Sequence, residues 1–407
     1  MKANIKRSLA KTIRDISSGF KVLLLTGPRQ VGKTTLLQEI EGNRTYVTLD
    51  DLTQRAAANQ DPAQFIDRLN LPVLIDEVQY APNLFPYIKM VVDKAKKPGL
   101  FWLTGSQRFD MMKNITESLA GRVGILNLQG ITLAEEQKRP GDKPFLPDLK
   151  LLKTRQKTAK IITVRQAYHK IWRGSYPDMV MQDGKNWEQF YDSYITTYIQ
   201  RDVQDYLGIR NKAMFLKFMQ VAAARTGQLI NYTEMARDVG LSQVTIKSWV
   251  EALQASGIIT LLQPYFTNKT KRLIKMPKLY FMDTGLCSFL TGWLNADVLE
   301  RGAMAGAMLE TYVVSEIIKS YLHHGRKPWV FFYRDKEKRE VDLLIEENGT
   351  LYPIEIKKTG SPHLSGFKGF ECLKTLKATI GHGGLICFVN DLIPLSKGVD
   401  AIPVGYL

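Results

Sequence analysis

The feature that most constrains this chain is a short glycine-rich pattern near its start, GPRQVGKT, which runs from Gly27 to Thr34. It fits GxxxxGK[ST] at every fixed position. An apolar run at residues 21–25 (KVLLL) precedes it and a helical pattern follows as far as Ile40. Glycines let backbone amides wrap a β-phosphate, and the N-terminus of the following helix adds partial positive charge. The pattern therefore predicts a phosphate-binding loop between a buried strand and a helix.

The predicted loop defines a nucleotide site with ATP and Mg²⁺ as cofactors. We expect Lys33 to reach the β- and γ-phosphates and the Thr34 hydroxyl to ligate Mg²⁺. The residues expected to contact ATP are Gly27, Pro28, Arg29, Gln30, Val31, Gly32, Lys33, Thr34 and Thr35.

Two further apolar runs, residues 72–75 (PVLI) and 100–103 (LFWL), predict buried strands separated by helical stretches, which implies βαβ units and a parallel sheet. Asp76 and Glu77 follow the first of these strands. We expect Asp76 to hold Mg²⁺ through water and Glu77 to orient and polarise the attacking water. The alternative is a pair of acids in a surface turn.

Two more residues are candidates for contacts with the γ-phosphate. Ser106 follows the second of these strands and is a candidate sensor of that phosphate, with a plain turn serine as the alternative. Arg122 ends the segment SLAGR and is a candidate cation for the charge that develops in the transition state. Its alternative is a surface salt bridge.

The middle of the chain changes character twice. Residues 134–173 are predominantly basic and predict a linker or insertion that leaves the first domain. Two helical patterns, Tyr232–Val239 and Gln243–Ser256, are joined by Gly240-Leu241-Ser242, which is the helix-turn-helix pattern. The stretch that follows predicts a basic wing without an opposing acid, and its cations are Lys269, Lys271, Arg272, Lys275 and Lys278.

Carboxylates near the C-terminus form a second candidate site. A hairpin would bring Asp342 beside Glu355 and Lys357, which resembles the PD-(D/E)xK core of restriction-endonuclease-like nucleases. Two carboxylates can hold a divalent metal against a phosphodiester while a lysine stabilises charge. Glu310 on the preceding helix is a candidate further ligand, so a second divalent metal is a candidate cofactor. The alternative is a salt-bridged pair of strands.

Several segments in this order together resemble prokaryotic AAA-family ATPases that usually carry a C-terminal domain of uncharacterised function. They are GPRQVGKTTL, LIDEVQ, LTGSQ, SLAGR, RGSYPD (173–178), YIQRDV (199–204), YFMDTGL (280–286) and EVDLLIE followed by YPIEIK. The likeness covers nearly the whole chain. It implies an ATPase core of the AAA+ type, a helical lid with a winged helix, and a nuclease-like C-terminal domain.

The expected fold class is therefore α/β, with a P-loop AAA+ core on a parallel sheet, a helical lid plus winged helix, and a C-terminal α/β domain of restriction-endonuclease-like type. The expected bounds are 1–135 for the ATPase core, 136–185 for the basic linker or insertion, 186–225 for the helical lid, 226–282 for the winged helix-turn-helix and 283–407 for the nuclease-like domain.

Composition narrows the setting and the partners. The chain has 407 residues with a formal net charge of +16, which favours an anionic partner such as DNA. Its three Cys form no disulfide framework, and it shows neither a signal peptide nor a membrane span, so we expect a cytoplasmic protein. The expected histidine positions are at the surface.

These observations together predict a Mg²⁺-dependent ATPase that couples nucleotide state to an interaction with DNA or another partner, with a homo-oligomer as a candidate assembly. One alternative is a signalling or assembly switch whose nuclease-like domain binds a protein and cuts nothing. The other is a metal-dependent DNA nuclease gated by ATP.

Overall fold

The computed structural model describes residues 5–105, 115, 117–198, 211–267, 275–362 and 368–407. The predicted sensor Ser106 lies outside these residues, and so do Lys269, Lys271 and Arg272 of the predicted wing. Among the described helices, none has both the length and the apolar character that crossing a membrane requires.

The N-terminal part of the chain is built on a parallel sheet, which has five strands within the described residues. They are β1 (Val22–Thr26), β2 (Thr45–Thr48), β3 (Val73–Asp76), β4 (Phe101–Thr104) and β5 (Val123–Asn127). Their order is β2-β3-β4-β1-β5, and each neighbouring pair is parallel. The three strands predicted from apolar runs are thus present in one sheet, and their carboxyl ends meet at the same edge.

Helices cover both faces of this sheet. They are α1 (Leu9–Gly19), α2 (Lys33–Ile40), α3 (Leu52–Gln60), α4 (Pro62–Asp67) and α5 (Leu84–Lys94). Because successive side chains of a strand point to opposite faces, β1 contributes to two cores. Leu23 and Leu25 pack in one core with α1, and Val22 and Leu24 pack in the other with α5.

The segment predicted as a basic linker or insertion contains four helices. They are α6 (Leu133–Glu136), α7 (Leu149–Thr158), α8 (Val164–Arg173) and α9 (Pro177–Met181). Three of its cations are buried: Arg139 and Arg155 donate to backbone carbonyls at the C-terminus of the chain, and Arg173 pairs with Glu136. These three cations therefore stabilise internal contacts, while most of the other cations of this segment are exposed.

A helical region follows, with α10 (Trp187–Tyr198), α11 (Lys212–Ala224), α12 (Tyr232–Val239) and α13 (Gln243–Ala255). The two predicted helices of the helix-turn-helix are present as α12 and α13. Gly240 between them has a positive φ of 86°, which glycine adopts without strain. Strands β6 (Gln228–Leu229), β7 (Ile259–Leu262) and β8 (Lys278–Phe281) form a small antiparallel sheet in the order β6-β8-β7.

The C-terminal part begins with α14 (Thr284–Leu290), α15 (Ala296–Arg301) and the long, largely buried α16 (Ala305–Leu322). A mixed sheet follows, with β9 (Val330–Arg334), β10 (Glu340–Glu347), β11 (Thr350–Ile356), β12 (Thr379–Ile380), β13 (Gly383–Cys387), β14 (Ile393–Ser396) and β15 (Val399–Pro403). Its order is β14-β15-β13-β11-β10-β9, with β12 beside β11, and the short helix α17 (Lys368–Glu371) lies before β12.

The chain after β7 pairs with the C-terminal sheet. The backbone N–H of Tyr265 donates to the carbonyl oxygen of Phe332 at 2.7 Å, and Pro264 forms a parallel bridge with the same residue in β9. The Tyr265 ring packs edge-on against Phe331. The described base of the predicted wing is therefore attached to the C-terminal sheet.

Candidate nucleotide site and C-terminal carboxylate cluster

The glycine-rich loop connects β1 to α2 with backbone angles that its glycines permit. Gly27 has a φ of 144°, and a Cβ added there would lie 2.0 Å from the carbonyl oxygen of Leu128. Gly32 has a φ of 87° and precedes the first turn of α2. Both positions therefore require glycine, one for close approach to the neighbouring backbone and both for the left-handed φ.

Lys33 lies inside this loop, and its side chain is largely buried. Its Nζ donates to the carbonyl oxygens of Gly27 at 3.0 Å and Pro28 at 2.8 Å. The ammonium is thus held at the mouth of the loop, beside the first-turn amides of α2. A cation and helix N-terminal amides in this position are the groups that bind phosphate oxygens.

Asp76 is the centre of a hydrogen-bond cluster at the carboxyl edge of the sheet. Its Oδ1 accepts from the Thr34 hydroxyl at 2.9 Å and from the Thr104 hydroxyl, and its Oδ2 accepts from the Tyr46 hydroxyl at 3.1 Å. Burial, followed by the charge of Asp76, raises the pKa of Tyr46 to about 12, so the phenol remains a donor. The donors come from α2, β4 and β2, which surround the end of β3.

Glu77 follows Asp76 and departs from the strand conformation. Its φ is 57°, uncommon for a residue other than glycine, and its backbone N–H donates to the Thr104 hydroxyl at 3.2 Å. The Glu77 carboxylate accepts from the Gln79 side-chain amide. Thr104 therefore contacts both the predicted metal ligand Asp76 and the predicted catalytic residue Glu77, while the predicted sensor Ser106 lies outside the described residues.

Arg122 lies at the opposite edge of the sheet from the phosphate loop. It immediately precedes β5, and its guanidinium pairs with Asp93 near the end of α5. Five residues of β1 separate that edge from Gly27, which is about 16 Å at the rise of a strand. The hypothesis that Arg122 reaches the phosphates bound by its own chain is therefore wrong for this arrangement.

The residues at the loop fit ATP with Mg²⁺. Thr34 and Asp76 offer hard oxygen atoms, which Mg²⁺ prefers as ligands, and these atoms lie within hydrogen-bond distance of each other. Lys33 immediately precedes Thr34. Gly27 lets the loop pass close to the Leu128 backbone, where a Cβ would clash.

The β10–β11 hairpin brings the C-terminal carboxylates together as predicted. Leu343 pairs with Ile354, so Asp342 lies beside Glu355, and Asp342 Oδ2 accepts from the Ile356 backbone N–H at 2.8 Å. Lys357 Nζ lies 2.7 Å from Glu355 Oε1. Burial, followed by the neighbouring charges of Glu355 and Glu310, raises the pKa of Asp342 to about 8, and burial also raises the pKa of Glu355.

The predicted metal set is not assembled at this cluster. Glu310 Oε1 accepts from Lys278 Nζ at 3.0 Å and from the Tyr280 hydroxyl at 2.5 Å, and Lys278 also pairs with Glu340. Within the described ranges, no group of three or more His, Cys, Asp or Glu side chains is placed to hold a metal ion. These residues therefore do not fit a second divalent metal as they stand.

Lys278 corrects a further expectation. It was predicted as a wing cation with no opposing acid, but it is 5% exposed and pairs with two carboxylates. The local sequence does not show these partners, because Glu310 and Glu340 are brought to Lys278 from α16 and β10 by the tertiary fold.

Three family models match the chain in succession. They are an AAA domain at residues 19–136, a domain of unknown function (DUF8612) at residues 165–297, and a second domain of unknown function (DUF4143) at residues 305–407. The uncharacterized protein Rv2008c of Mycobacterium tuberculosis is 30% identical over 410 residues, which cover 99% of this chain and 84% of that protein. The uncharacterized protein Mb2031c of Mycobacterium bovis matches equally.

The chain belongs to the family of these mycobacterial proteins. Its N-terminal part is an AAA domain, a P-loop ATPase module that binds ATP. The models for the other two regions carry no described activity, so the winged helix and the restriction-endonuclease-like domain stay predictions.

Solved structures add little to this assignment. The Walker-type ATPase PABY2304 of Pyrococcus abyssi is 13% identical, over 71% of this chain and 98% of that one, with a TM-score of 0.42. A signal-transduction ATPase with a tetratricopeptide repeat sensor from Pyrococcus horikoshii is 12% identical, over 79% and 50%, with a TM-score of 0.23. Scores this low do not establish a shared overall fold.

Sequence interpretation missed a buried group that joins the AAA domain of this family member to α16. Arg7, Glu135 and His323 are all buried, and the Glu135 carboxylate is hydrogen-bonded to both of the other two. His323 was expected at the surface, yet its side chain is 0% exposed. Glu135 carries a local signal as the last residue of the Thr132–Glu135 capping box, but no local pattern links it to Arg7 and His323, which lie near the start and the end of the chain.

Proposed function

We propose that this protein is a Mg²⁺-dependent ATPase that couples the nucleotide state of its phosphate loop to DNA bound by its helix-turn-helix and C-terminal regions. The observation that carries the proposal is the cluster of Thr34, Asp76 and Thr104 beside Lys33 at one edge of the parallel sheet. These are the side chains that binding and hydrolysis of ATP require, and they come from three separate elements.

Each residue of the site has a separate role in this proposal. Lys33 binds the phosphate oxygens, while Thr34 and Asp76 would hold Mg²⁺, which supplies charge neutralisation at the phosphates. Glu77 accepts a proton from the attacking water and orients it. Thr104 fixes the carboxylate of Asp76 and the backbone of Glu77, so that the two acids keep one relative orientation.

Helix α13 supports the choice of DNA as the partner. Its buried face contains Ile246, Trp249 and Leu253, while Gln243 and Lys247 on the opposite face are exposed. The Ser242 side chain caps the helix by accepting from the Thr245 backbone N–H at 3.1 Å. A rigid helix with a polar, cationic face at its N-terminal end can approach base edges and phosphates in the major groove.

A contact between the end of α13 and the phosphate loop supports the coupling. Gly257, just after α13, has a φ of 74°, and a Cβ there would lie 3.1 Å from the Pro28 ring in the loop. Pro177 at the start of α9 approaches the same loop at Gly32. If binding of phosphate moves the backbone of the loop at Pro28, the segment at Gly257 that follows α13 would have to move as well.

DNA binding measured against salt, with and without ATP, tests this function. Counterion release gives a steep negative salt slope for DNA, and a Lys247→Ala variant should flatten it by about one unit. Lys96→Ala is the matched control, because Lys96 is an exposed lysine just after α5 in the AAA domain. The coupling claim requires that ATP change the affinity of wild type and leave that of Lys33→Ala unchanged. An identical affinity with and without ATP in wild type would refute it.

A second candidate function is an assembly switch whose C-terminal domain binds a partner and cleaves nothing. The observation that favours it is the engagement of Glu310 by Lys278 and Tyr280, which removes one carboxylate from the predicted metal set. A cleavage assay on linear and supercoiled DNA with Mg²⁺ or Mn²⁺ distinguishes this candidate from an ATP-gated nuclease. Cleavage by wild type that disappears in Asp342→Ala would establish the nuclease instead.

A further inference from the structure

We infer that Arg7 is a positioning residue for the phosphate loop, and that His323 from α16 holds Arg7 in place through Glu135. This inference rests on the proposed ATPase function and adds to it a physical connection between the loop and the C-terminal part of the chain. The three residues are separated by 128 and 188 positions along the sequence.

Arg7 makes direct contact with the backbone of the loop. Its Nη1 donates to the carbonyl oxygen of Val31 at 2.9 Å. Its Nη2 donates to the carbonyl oxygen of Gln129 at 2.6 Å and also lies 3.3 Å from that of Gly130. Because Val31 immediately precedes Gly32, the guanidinium fixes the part of the loop that leads into α2 relative to the chain that leaves β5.

Glu135 orients the guanidinium. Its Oε2 accepts from Arg7 Nε at 3.2 Å and from the Thr132 backbone N–H at 3.0 Å, while its Oε1 accepts from the Ser8 backbone N–H at 2.7 Å. The carboxylate is thus held by the start of α6 as well as by the segment that carries Arg7. Both the cation and its partner are buried, with exposures of 8% and 1%.

His323 connects this pair to α16. Its Nε2 accepts from the Gln129 backbone N–H at 3.1 Å, so the ring proton is on Nδ1, which donates to Glu135 Oε1 at 3.2 Å. The same helix contacts the start of α6, where the Leu133 backbone N–H donates to Glu316 Oε2 at 2.7 Å. Displacement of α16 would therefore move both the carboxylate and the carbonyl to which Arg7 donates.

Stability alone is a poor explanation for these contacts. Desolvation of a buried ion pair commonly cancels its attraction, so such a pair contributes little net stability compared with apolar residues of similar volume. What a buried arginine with several fixed acceptors does provide is a single geometry for the groups around it. Here those groups include the loop that would bind the phosphates.

The test measures ATP affinity separately from turnover. Arg7→Lys keeps the positive charge but has one nitrogen in place of the fork by which Nε, Nη1 and Nη2 donate to Glu135, Val31 and Gln129. We expect it to weaken binding of a fluorescent ATP analogue by about tenfold while kcat at saturating ATP falls less. Lys6→Ala, at an exposed neighbouring position, is the matched control and should bind as wild type does.

His323 supplies the second half of the test. We expect His323→Ala to weaken ATP binding by about threefold, and His323→Gln, which retains a donor and an acceptor, to restore much of it. His324→Ala is the control, since His324 contacts only its own helix through Ser320 among its described bonds. If Arg7 and His323 act in one connection, the effects of Arg7→Lys and His323→Ala should be less than additive.

The outcomes are distinct. Unchanged ATP affinity in both Arg7→Lys and His323→Ala, with wild type binding normally, would overturn this inference and leave the proposed ATPase intact. Full additivity in the double variant would overturn the connection through Glu135. Absence of ATP binding in wild type would instead refute the proposed function. If Arg7→Lys does not fold, the comparison of His323→Ala with His323→Gln decides the matter alone.

Discussion

Thr34 and Asp76 lie 42 residues apart in the chain, yet the hydroxyl of Thr34 donates a 2.9 Å hydrogen bond to Asp76 Oδ1. The contact exists because β4 lies between β1 and β3 in the sheet. The carboxyl ends of the three parallel strands therefore lie side by side, with the start of α2 above them. The two residues expected to share Mg²⁺ are therefore brought together by strand order, and the site depends on the whole sheet.

Binding and hydrolysis of ATP should separate between Lys33 and Glu77. Lys33→Ala removes the charge that contacts the phosphates, so we expect ATP affinity to fall by at least about tenfold. Glu77→Gln should keep affinity nearly intact and slow turnover by at least about a hundredfold, because only the proton acceptor is lost. Titration with an ATP analogue and steady-state turnover measure the two quantities. Glu39→Gln, an exposed acid on α2, is the control. Equal turnover in Glu77→Gln and wild type would contradict this role.

Thr104 should matter for turnover more than for affinity. Thr104→Val keeps the shape of the side chain but removes the hydroxyl that contacts Asp76 and the Glu77 backbone. We expect turnover to fall by about tenfold with ATP affinity within about twofold of wild type. Thr104→Ser, which retains the hydroxyl, should behave nearly as wild type does. A Thr104→Val protein with normal turnover would show that the two acids are oriented without this residue.

The sequence predicted the parts of this fold that local patterns determine. Apolar runs identified β1, β3 and β4, and the P-loop pattern identified the turn at Gly27 and Gly32, because these residues report their own burial or backbone angle. Thr104 lies two residues before the predicted sensor Ser106, and its contact with Asp76 follows from its place beside the end of β3. Strand register across a parallel sheet depends on neighbours that are distant in sequence.

Charge was harder to interpret than hydrophobicity. Arg155 and Arg173 increase the positive charge of residues 134–173, yet both are buried, as is Lys278 in β8. A cation is exposed or paired according to which acids and carbonyls the fold brings to it. For Lys278 these are Glu310 and Glu340, which lie 32 and 62 residues later, so a count of nearby acids gave the wrong answer.

Arg122 should have no effect on ATP turnover in a single chain. It pairs with Asp93 at the edge of the sheet opposite the phosphate loop, so Arg122→Ala in dilute, monomeric protein should turn over ATP as wild type does. A role across a subunit boundary stays a prediction. It requires that Arg122→Ala be inactive where the chains assemble, and that mixing it there with inactive Lys33→Ala chains partly restore turnover. Failure of such mixing, with mixed oligomers demonstrated by pull-down of differently tagged chains, would leave Arg122 a structural role.

Glu135 should make the stability of the protein sensitive to acid. Burial alone would raise its pKa, but the charge of Arg7 and the hydrogen bonds from His323 and the Thr132 backbone outweigh this and hold the pKa well below its usual value. Because the folded pKa is depressed, the stabilisation is complete above the unfolded value of about 4.3 and is lost as the pH falls from there toward the folded value.

The comparison of wild type with Glu135→Gln isolates this effect. At pH 7 the variant leaves Arg7 buried without its counter-charge, so we expect its free energy of unfolding to be lower by about 3 kcal/mol. The difference should be constant down to about pH 5 and should narrow at lower pH, because unfolded wild type then binds a proton at Glu135 that the folded protein does not bind. Burial lowers the pKa of His323 and Glu135 opposes that shift, so the comparison is repeated in a His323→Gln background, where this titration is absent. Urea unfolding from pH 7 to pH 3 measures the difference, and a gap that widens with acid would contradict the assignment of a charged Glu135 in the folded protein.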